Sequence, residues 1–420
     1  MKSNSFHIPS TAKSWLPVSP ESDFPIQNIP FGFAAPKGRG EGMVTIVGDT
    51  VIDLVTLHER GFFSDEIPYP DSFLEFDRTV LYKFRAEIFT LFEESNEALR
   101  DDKTTQKKAF LTVAEANLQV PIAPTAFVDF YSGIHHAGNV GRMFRPDQPP
   151  LLPNYRHVPI GYNGRASSVV VDGTPITRPK GQTKGANDEL PTFGPSKEMD
   201  FELEMGFYVG EGNEMGKRIT TSAAEDHMLG LVIVNDWSAR DVQRWEYQPL
   251  GPFLAKSFAT TVSPWIVTLD ALEPFRVEGM AQDPPVLPYL RNHGKPHFDV
   301  VLEVWLKTPK MKAAERICVS NMNNLYWSMA QQLAHQTSNG TPVEFGDLYA
   351  SGTISGEEDG SAGSMLELSW RGQRPVTLSN GETRTFLEDG DEVTMRAYAA
   401  GDGYRIGFGE CRGEIKAARE

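Results

Sequence analysis

The chain has 420 residues, with 40 Lys and Arg against 56 Asp and Glu, a formal charge of −16 at neutral pH. No basic block offsets that excess, which argues against nucleic acid and anionic lipid as partners, since both are bound by cations that neutralise phosphates. At 40% hydrophobic and 23% charged the composition is that of a folded globular protein, and at about 150 residues per domain the length suggests two or three domains.

From Asp23 to Leu57 the signals are strand-like. Met43-Val44-Thr45-Ile46-Val47, a Gly48-Asp49 turn and Val51-Ile52-Asp53-Leu54 predict a small β module. Val80, Leu81, Phe84, Ile88, Leu91 and Phe92 then recur at helical spacing and predict an amphipathic helix packed on that module. Pro121-Ile122-Ala123-Pro124 marks the expected boundary between an N-terminal domain, residues 1–120, and a larger β-rich domain, residues 121–420. Asp172–Pro195 and Glu273–Pro288 read as long loops of the kind that form lids or binding loops. Ser222-Ala223-Ala224-Glu225 has capping-box form and should open a short helix. Met322, Leu325, Tyr326, Met329, Ala330 and Leu333 predict a second amphipathic helix, and Asn380-Gly381 predicts a hairpin. Cys318 and Cys411 are too few for a disulfide framework and fit a reducing compartment. Met1–Pro20 lacks an apolar h-region, and stretches such as Leu229–Val234 fall well short of the roughly 20 residues of a membrane span. A cytosolic protein with no membrane partner is expected.

Asp200-Phe201-Glu202-Leu203-Glu204-Met205-Gly206-Phe207 alternates with period 2, so Asp200, Glu202, Glu204 and Gly206 share one strand face. Such an acidic row needs either open solvent, as on an ordinary half-exposed strand, or a hard divalent cation. Leu231–Val234 is an apolar strand ending in Asn235-Asp236, a second carboxylate at a strand end. In Ser238–Tyr247 a helical turn would put Arg240, Gln243 and Tyr247 on one face, donors suited to a carboxylate or carbonyl oxygen. Asp129–Asn139 reads as a loop carrying Asp129, Tyr131, His135 and His136, with Arg145 beyond it, and histidine suits proton transfer near neutral pH. Glu367 stands among apolar neighbours on an expected strand, where a buried carboxylate needs a partner such as a histidine. There is no G-x-S-x-G, H-E-x-x-H or C-x-x-C, and Gly251–Ser257 and Gly401–Gly407 lack the glycine spacing of a phosphate or dinucleotide loop.

Taken together these segments resemble the fumarylacetoacetate hydrolase family in its full-length, two-domain form. The specific blocks are Gly161-Tyr162-Asn163-Gly164-Arg165-Ala166-Ser167-Ser168-Val169, Asn235-Asp236-Trp237-Ser238-Ala239-Arg240-Asp241, Pro249-Leu250-Gly251-Pro252-Phe253-Leu254 and Ala350-Ser351-Gly352-Thr353-Ile354-Ser355-Gly356. The resemblance implies a mainly β, α+β architecture: a small N-terminal SH3-like β-barrel, then a larger mixed β-roll, in a cytosolic homodimer. It implies hydrolysis of a carbon–carbon bond in a small dicarboxylate 1,3-diketone, fumarylacetoacetate, to fumarate and acetoacetate. The metal would be Ca2+ or Mg2+, held by Asp129, Glu202, Glu204 and Asp236, with Lys256 and Thr260 at positions associated with it. His136 would be the general base held by Glu367, Arg240, Gln243 and Lys256 would stabilise the oxyanion, and Tyr131, Arg145, Gln243, Tyr247 and Thr353 would contact substrate. An acylpyruvate hydrolase, an oxaloacetate-type decarboxylase or a metal-binding scaffold without turnover are the competing readings.

Overall fold

The structure is a computed structural model that describes residues 6–185 and 187–420. Residues 1–5, at the start of the stretch read for an h-region, and Ala186, within the expected 172–195 loop, lie outside them. The architecture is mixed α+β and rich in sheet.

The N-terminal β-branched runs pair as expected. Gly42–Val47 and Thr50–Asp53 form a hairpin whose turn uses Gly48 at φ +61°, where a side chain would also collide with the Pro17 carbonyl at 2.6 Å. Phe31–Ala34, Phe110–Leu111 and Leu118–Gln119 complete an antiparallel five-stranded sheet. The predicted helix spans Arg78–Phe92, opens on Asp77, whose side chain accepts from Val80 N, and buries Leu81, Phe84, Ile88, Leu91 and Phe92. Arg85 is buried with them. Its guanidinium donates to the carbonyls of Phe6, Gln27 and Asn28, and burial pushes its pKa down to about 10.

The larger unit stacks two sheets. The first has seven strands in the spatial order Gly161–Asn163, Phe127–Phe130, Leu348–Ala350, Leu203–Val209, Met228–Asp236, Thr260–Val262, Val169–Val171. The second sets Glu315–Asn321, Val301–Lys307, Glu392–Ala400, Arg405–Lys416 and Ile176–Thr177 side by side. Leu203, Met205, Phe207, Leu231 and Ile233 pack against Leu302, Val304, Met395 and Phe408 between the sheets. On the other face Tyr208, Val232, Val234 and Leu348 share a core with Phe31, Phe84 and Ile88 of the N-terminal unit. Met228–Asp236 is thus covered on both sides, which is why its sequence is almost continuously apolar instead of alternating. Among the described residues no helix is long and apolar enough to cross a membrane.

Several expected elements take a different form. Asp172–Pro195 holds strand Ile176–Thr177 and a hairpin of Lys180–Thr183 with Thr192–Pro195. Of Glu273–Pro288, Glu273–Phe275 is a 3-10 turn and Arg276–Val277 pairs with His297–Phe298. The helix expected from Met322 starts only at Met329, because Ser328 caps it with Gln331 in a capping box; Met322–Asn324 is a separate 3-10 turn. The capping box expected at Ser222 does not form, and Ala224–His227 is a 3-10 turn without a side-chain cap. The stretch after Asp129 is not a loop: Ile134–Phe144 is an α-helix that carries both histidines. Glu367 stands on a one-turn helix, Met365–Leu368, not on a strand. The Asn380-Gly381 hairpin forms between Val376–Thr377 and Thr383–Arg384.

Candidate functional site

Antiparallel pairing sets Leu203 opposite Asn235 and Glu204 opposite Val234, so the start of one strand lies beside the end of the other. Asp129 comes to the same end of the sheet, paired with Ala350 in the strand next to Leu203–Val209. Asp129, Glu202, Glu204 and Asp236 therefore converge, each able to offer an oxygen within 4.8 Å of the others'. All are buried, as is Asp200, so the acidic row faces protein and not solvent, against the half-exposed alternative.

The cluster has two electrostatic halves. Glu202 is paired with Lys256 Nζ and with Arg240, 2.7 Å away, while Asp236 meets Lys256 Nζ and Tyr162 Oη, each at 2.8 Å, and Thr260 Oγ1 at 2.9 Å. Burial opposes its charge, yet Lys256, Arg240 and His136 outweigh it and hold the Glu202 carboxyl far below the usual range. Burial likewise works against the Lys256 ammonium, but Asp236 and Glu202 raise its pKa. In the other half, Asp129 Oδ1 and Glu204 Oε1 are buried with no hydrogen-bond partner among the described residues. Burial and the neighbouring acids push both carboxyls well above their ordinary values. Buried carboxylate oxygens without donors, gathered within one another's reach, fit a hard divalent cation, which takes oxygen ligands. Among the described residues the single outside donor to Glu204 is the Gly352 amide, at 3.0 Å. Gly352 sits at φ +76°, where a side chain would meet the Phe130 carbonyl at 2.1 Å, so only glycine lets that amide approach.

His136 lies beside the cluster, with Nε2 4.0 Å from Glu202. Its Nδ1 is 2.6 Å from Glu367 Oε2, and the Tyr131 ring packs edge-on against it. Glu367 also accepts from Asn139 Nδ2 at 2.8 Å, Ser355 Oγ at 2.9 Å and Ser364 Oγ at 2.8 Å. Burial alone would raise its pKa, but His136, Asn139 and Ser364 bring it below the ordinary value. One residue earlier on the helix, His135 is only half-buried and does not line the cavity.

A cavity of about 440 Å3 joins these groups; Tyr131, Arg145, Arg240, Gln243, Tyr247 and Thr353 all line it, with Lys256. Glu204, Asp236 and Thr260 lie behind its wall, and Glu367 behind His136. Arg240 begins the predicted helix, Arg240–Glu246, and its Nη1 is 3.2 Å from Gln243 Oε1. Among the described residues of 172–195 and 273–288, none lines this cavity. A wider cleft of about 800 Å3 in the N-terminal unit, between Lys103, Lys107 and Asp53, gathers no buried ionisable groups. Sequence reading missed Tyr162, Asn139, Ser355, Ser364 and the amide of Gly352. Two had a signal: Ser364-Met365-Leu366-Glu367 has capping-box form, and Asn139 is three residues from His136, one helical turn along.

Residues 27–121 match the family described as Fumarylacetoacetase N-terminal, and residues 125–416 match Fumarylacetoacetate (FAA) hydrolase C-terminal. Fumarylacetoacetase of Bos taurus is 48% identical over 417 residues, 96% of this chain and 99% of its own. That of Arabidopsis thaliana is 46% identical over 413 residues, 96% and 98% of the two chains. A solved fumarylacetoacetate hydrolase from Exiguobacterium antarcticum superposes with a TM-score of 0.51 at 19% identity, over 93% of this chain and 99% of that one, a likeness of fold.

Proposed function

The chain belongs to the fumarylacetoacetase family, and on that premise we propose that its site hydrolyses fumarylacetoacetate to fumarate and acetoacetate. The observation that carries this reading is the placing of a carboxylate-held histidine beside a buried, partly unsatisfied acidic cluster, in one cavity.

Asp129, Glu202, Glu204 and Asp236 would hold the divalent ion, which when bound supplies Lewis-acid polarisation of the diketone oxygens. We take the ion to be calcium or magnesium, since every candidate ligand is a hard oxygen. Lys256 remains an ammonium and donates to Glu202 and Asp236, so it borders the metal as a charge, not as a ligand. Thr260 fixes the Asp236 carboxylate from behind. His136 takes the proton from the attacking water at Nε2, because Nδ1 is committed to Glu367. Glu367 fixes the tautomer and stabilises the imidazolium that forms. Water adds at the carbonyl next to the fumaryl arm, and Arg240, Gln243 and Lys256 stabilise the resulting oxyanion. The C–C bond then breaks, acetoacetate leaves as its enolate, the proton held on His136 passes to the enolate carbon, and the new fumaryl carboxyl loses its proton to solvent. Tyr131, Arg145, Tyr247 and Thr353 orient the substrate; Arg145 supplies the charge for a carboxylate. We further read the N-terminal sheet as the SH3-like barrel of a first domain ending near residue 120, and the protein as a cytosolic homodimer.

The test is incubation with fumarylacetoacetate at neutral pH with Mg2+ or Ca2+ present. The diketone absorbance should decay with release of fumarate, and no decay overturns the proposal.

A further inference from the structure

The reading above leaves one buried acid of the alternating row without a task. Asp200 is fully buried and lies outside the four-carboxylate cluster. Its two oxygens take four donors. Oδ1 accepts from Phe201 N at 2.8 Å and Met365 N at 2.7 Å; Oδ2 accepts from Arg240 Nε at 2.7 Å and Leu366 N at 3.1 Å. Met365 and Leu366 are the first two residues of the one-turn helix that carries Glu367. A single turn does not hold itself in water, and its first amides have no partner within it. Asp200 supplies both partners. The same carboxylate fixes Arg240, which reaches Glu202 through Nη1 at 2.7 Å and keeps Nη2 buried and unpartnered.

We infer that Asp200 is a positioning residue for the hydrolysis: one carboxylate sets the spacing between Arg240 and the Glu367–His136 pair. The inference rests on the roles proposed for those three residues. An amide cannot replace the carboxylate, because whichever way it turned it would set its NH2 against two donors, one of them an amide of the Glu367 turn; Asp200→Asn therefore breaks the common anchor that links that turn to Arg240.

The experiment is a pair of double-mutant cycles on kcat, with saturating metal and substrate, joining Asp200→Asn to Arg240→Ala and to Glu367→Gln. Alone, Asp200→Asn should lower kcat by about 100-fold, the scale of an ångström-sized misplacement, while KM moves by less than about fivefold. Added to either partner variant it should cost less than about fivefold more. The same factor in both backgrounds as alone, or coupling to only one partner, overturns the inference. Where Asp200→Asn does not fold, Asp200→Glu, which keeps the charge but displaces it, takes its place; if neither folds, the role is structural and the inference falls. The functional reading fails separately, and takes this inference with it, if Arg240→Ala and Glu367→Gln turn over as fast as the unmodified protein or if that protein leaves fumarylacetoacetate intact.

Discussion

Glu367 and Glu204 are both buried glutamates of one site, yet their surroundings are opposite. Glu367 receives His136, Asn139, Ser355 and Ser364. Glu204 receives one amide and leaves Oε1 with nothing. The first is held in its charged form and the second is driven toward its neutral one. A carboxylate with both oxygens answered by the fold is a fixed part, suited to orienting a base. One the fold leaves unanswered needs a cation from outside.

The largest expected effect breaks the answered side. His136→Ala should lower kcat by about 1000-fold, the middle of the range for a general base, while metal affinity by calorimetry stays within a few fold. An active His136→Ala beside an inactive His135→Ala would move the base to the half-buried histidine. Next comes the unanswered side. Glu204→Gln should weaken Ca2+ or Mg2+ binding by roughly 10- to 100-fold, the scale seen when support for a metal ligand is lost. Without metal the same change should leave thermal stability equal or higher, because it removes a charge that burial disfavours. Glu367→Gln should instead cost about 1–3 kcal/mol of stability with or without metal, since it breaks a satisfied network. If both variants respond to metal alike, the contrast between the two glutamates is wrong.

The same contrast explains what was legible in the sequence. The acidic row could be read because strand period is local: Asp200, Glu202 and Glu204 share a face whatever lies around them. Its burial could not, because that depends on Arg240, Lys256, Met365 and Gly352, brought against the row from distant parts of the chain. His136 and Glu367 stand out in the sequence as candidates and the resemblance gives them their roles, yet the elements bearing them differ from the loop and strand expected. His135-His136 follows Gly133, a residue that suggests a loop, but this glycine is the N-cap of the helix and is required by close packing, since a Cβ there would lie 2.2 Å from the Thr353 carbonyl. Met365–Leu368 is one turn, too short for a helical period to show, and only its capping-box spelling gives it away. Tyr162 lay in plain view in a recognised block, but its link to Asp236 spans 74 residues and has no local signature.

His297 offers a third arrangement and the smallest expected effect. It is buried at a strand pair with Val277, and burial pushes its pKa down to about 4 from an ordinary 6.5. Here the fold meets a buried ionisable group by keeping it neutral, neither answering its charge nor leaving it for an ion. Above pH 6.5 the ring is neutral folded or unfolded, and the full stability is present. As the pH falls below 6.5 the unfolded chain takes up a proton that the folded chain refuses until about pH 4, so stability is lost across that window. At about pH 5 the loss amounts to about 2 kcal/mol. His297→Gln has no such proton to gain, so whatever it costs at about pH 7.5, its deficit against the unmodified protein should shrink by about that amount at about pH 5 in urea unfolding. A deficit that stays constant between the two pH values would mean that the imidazole is not held neutral, and that burial at this position is less complete than its surroundings indicate.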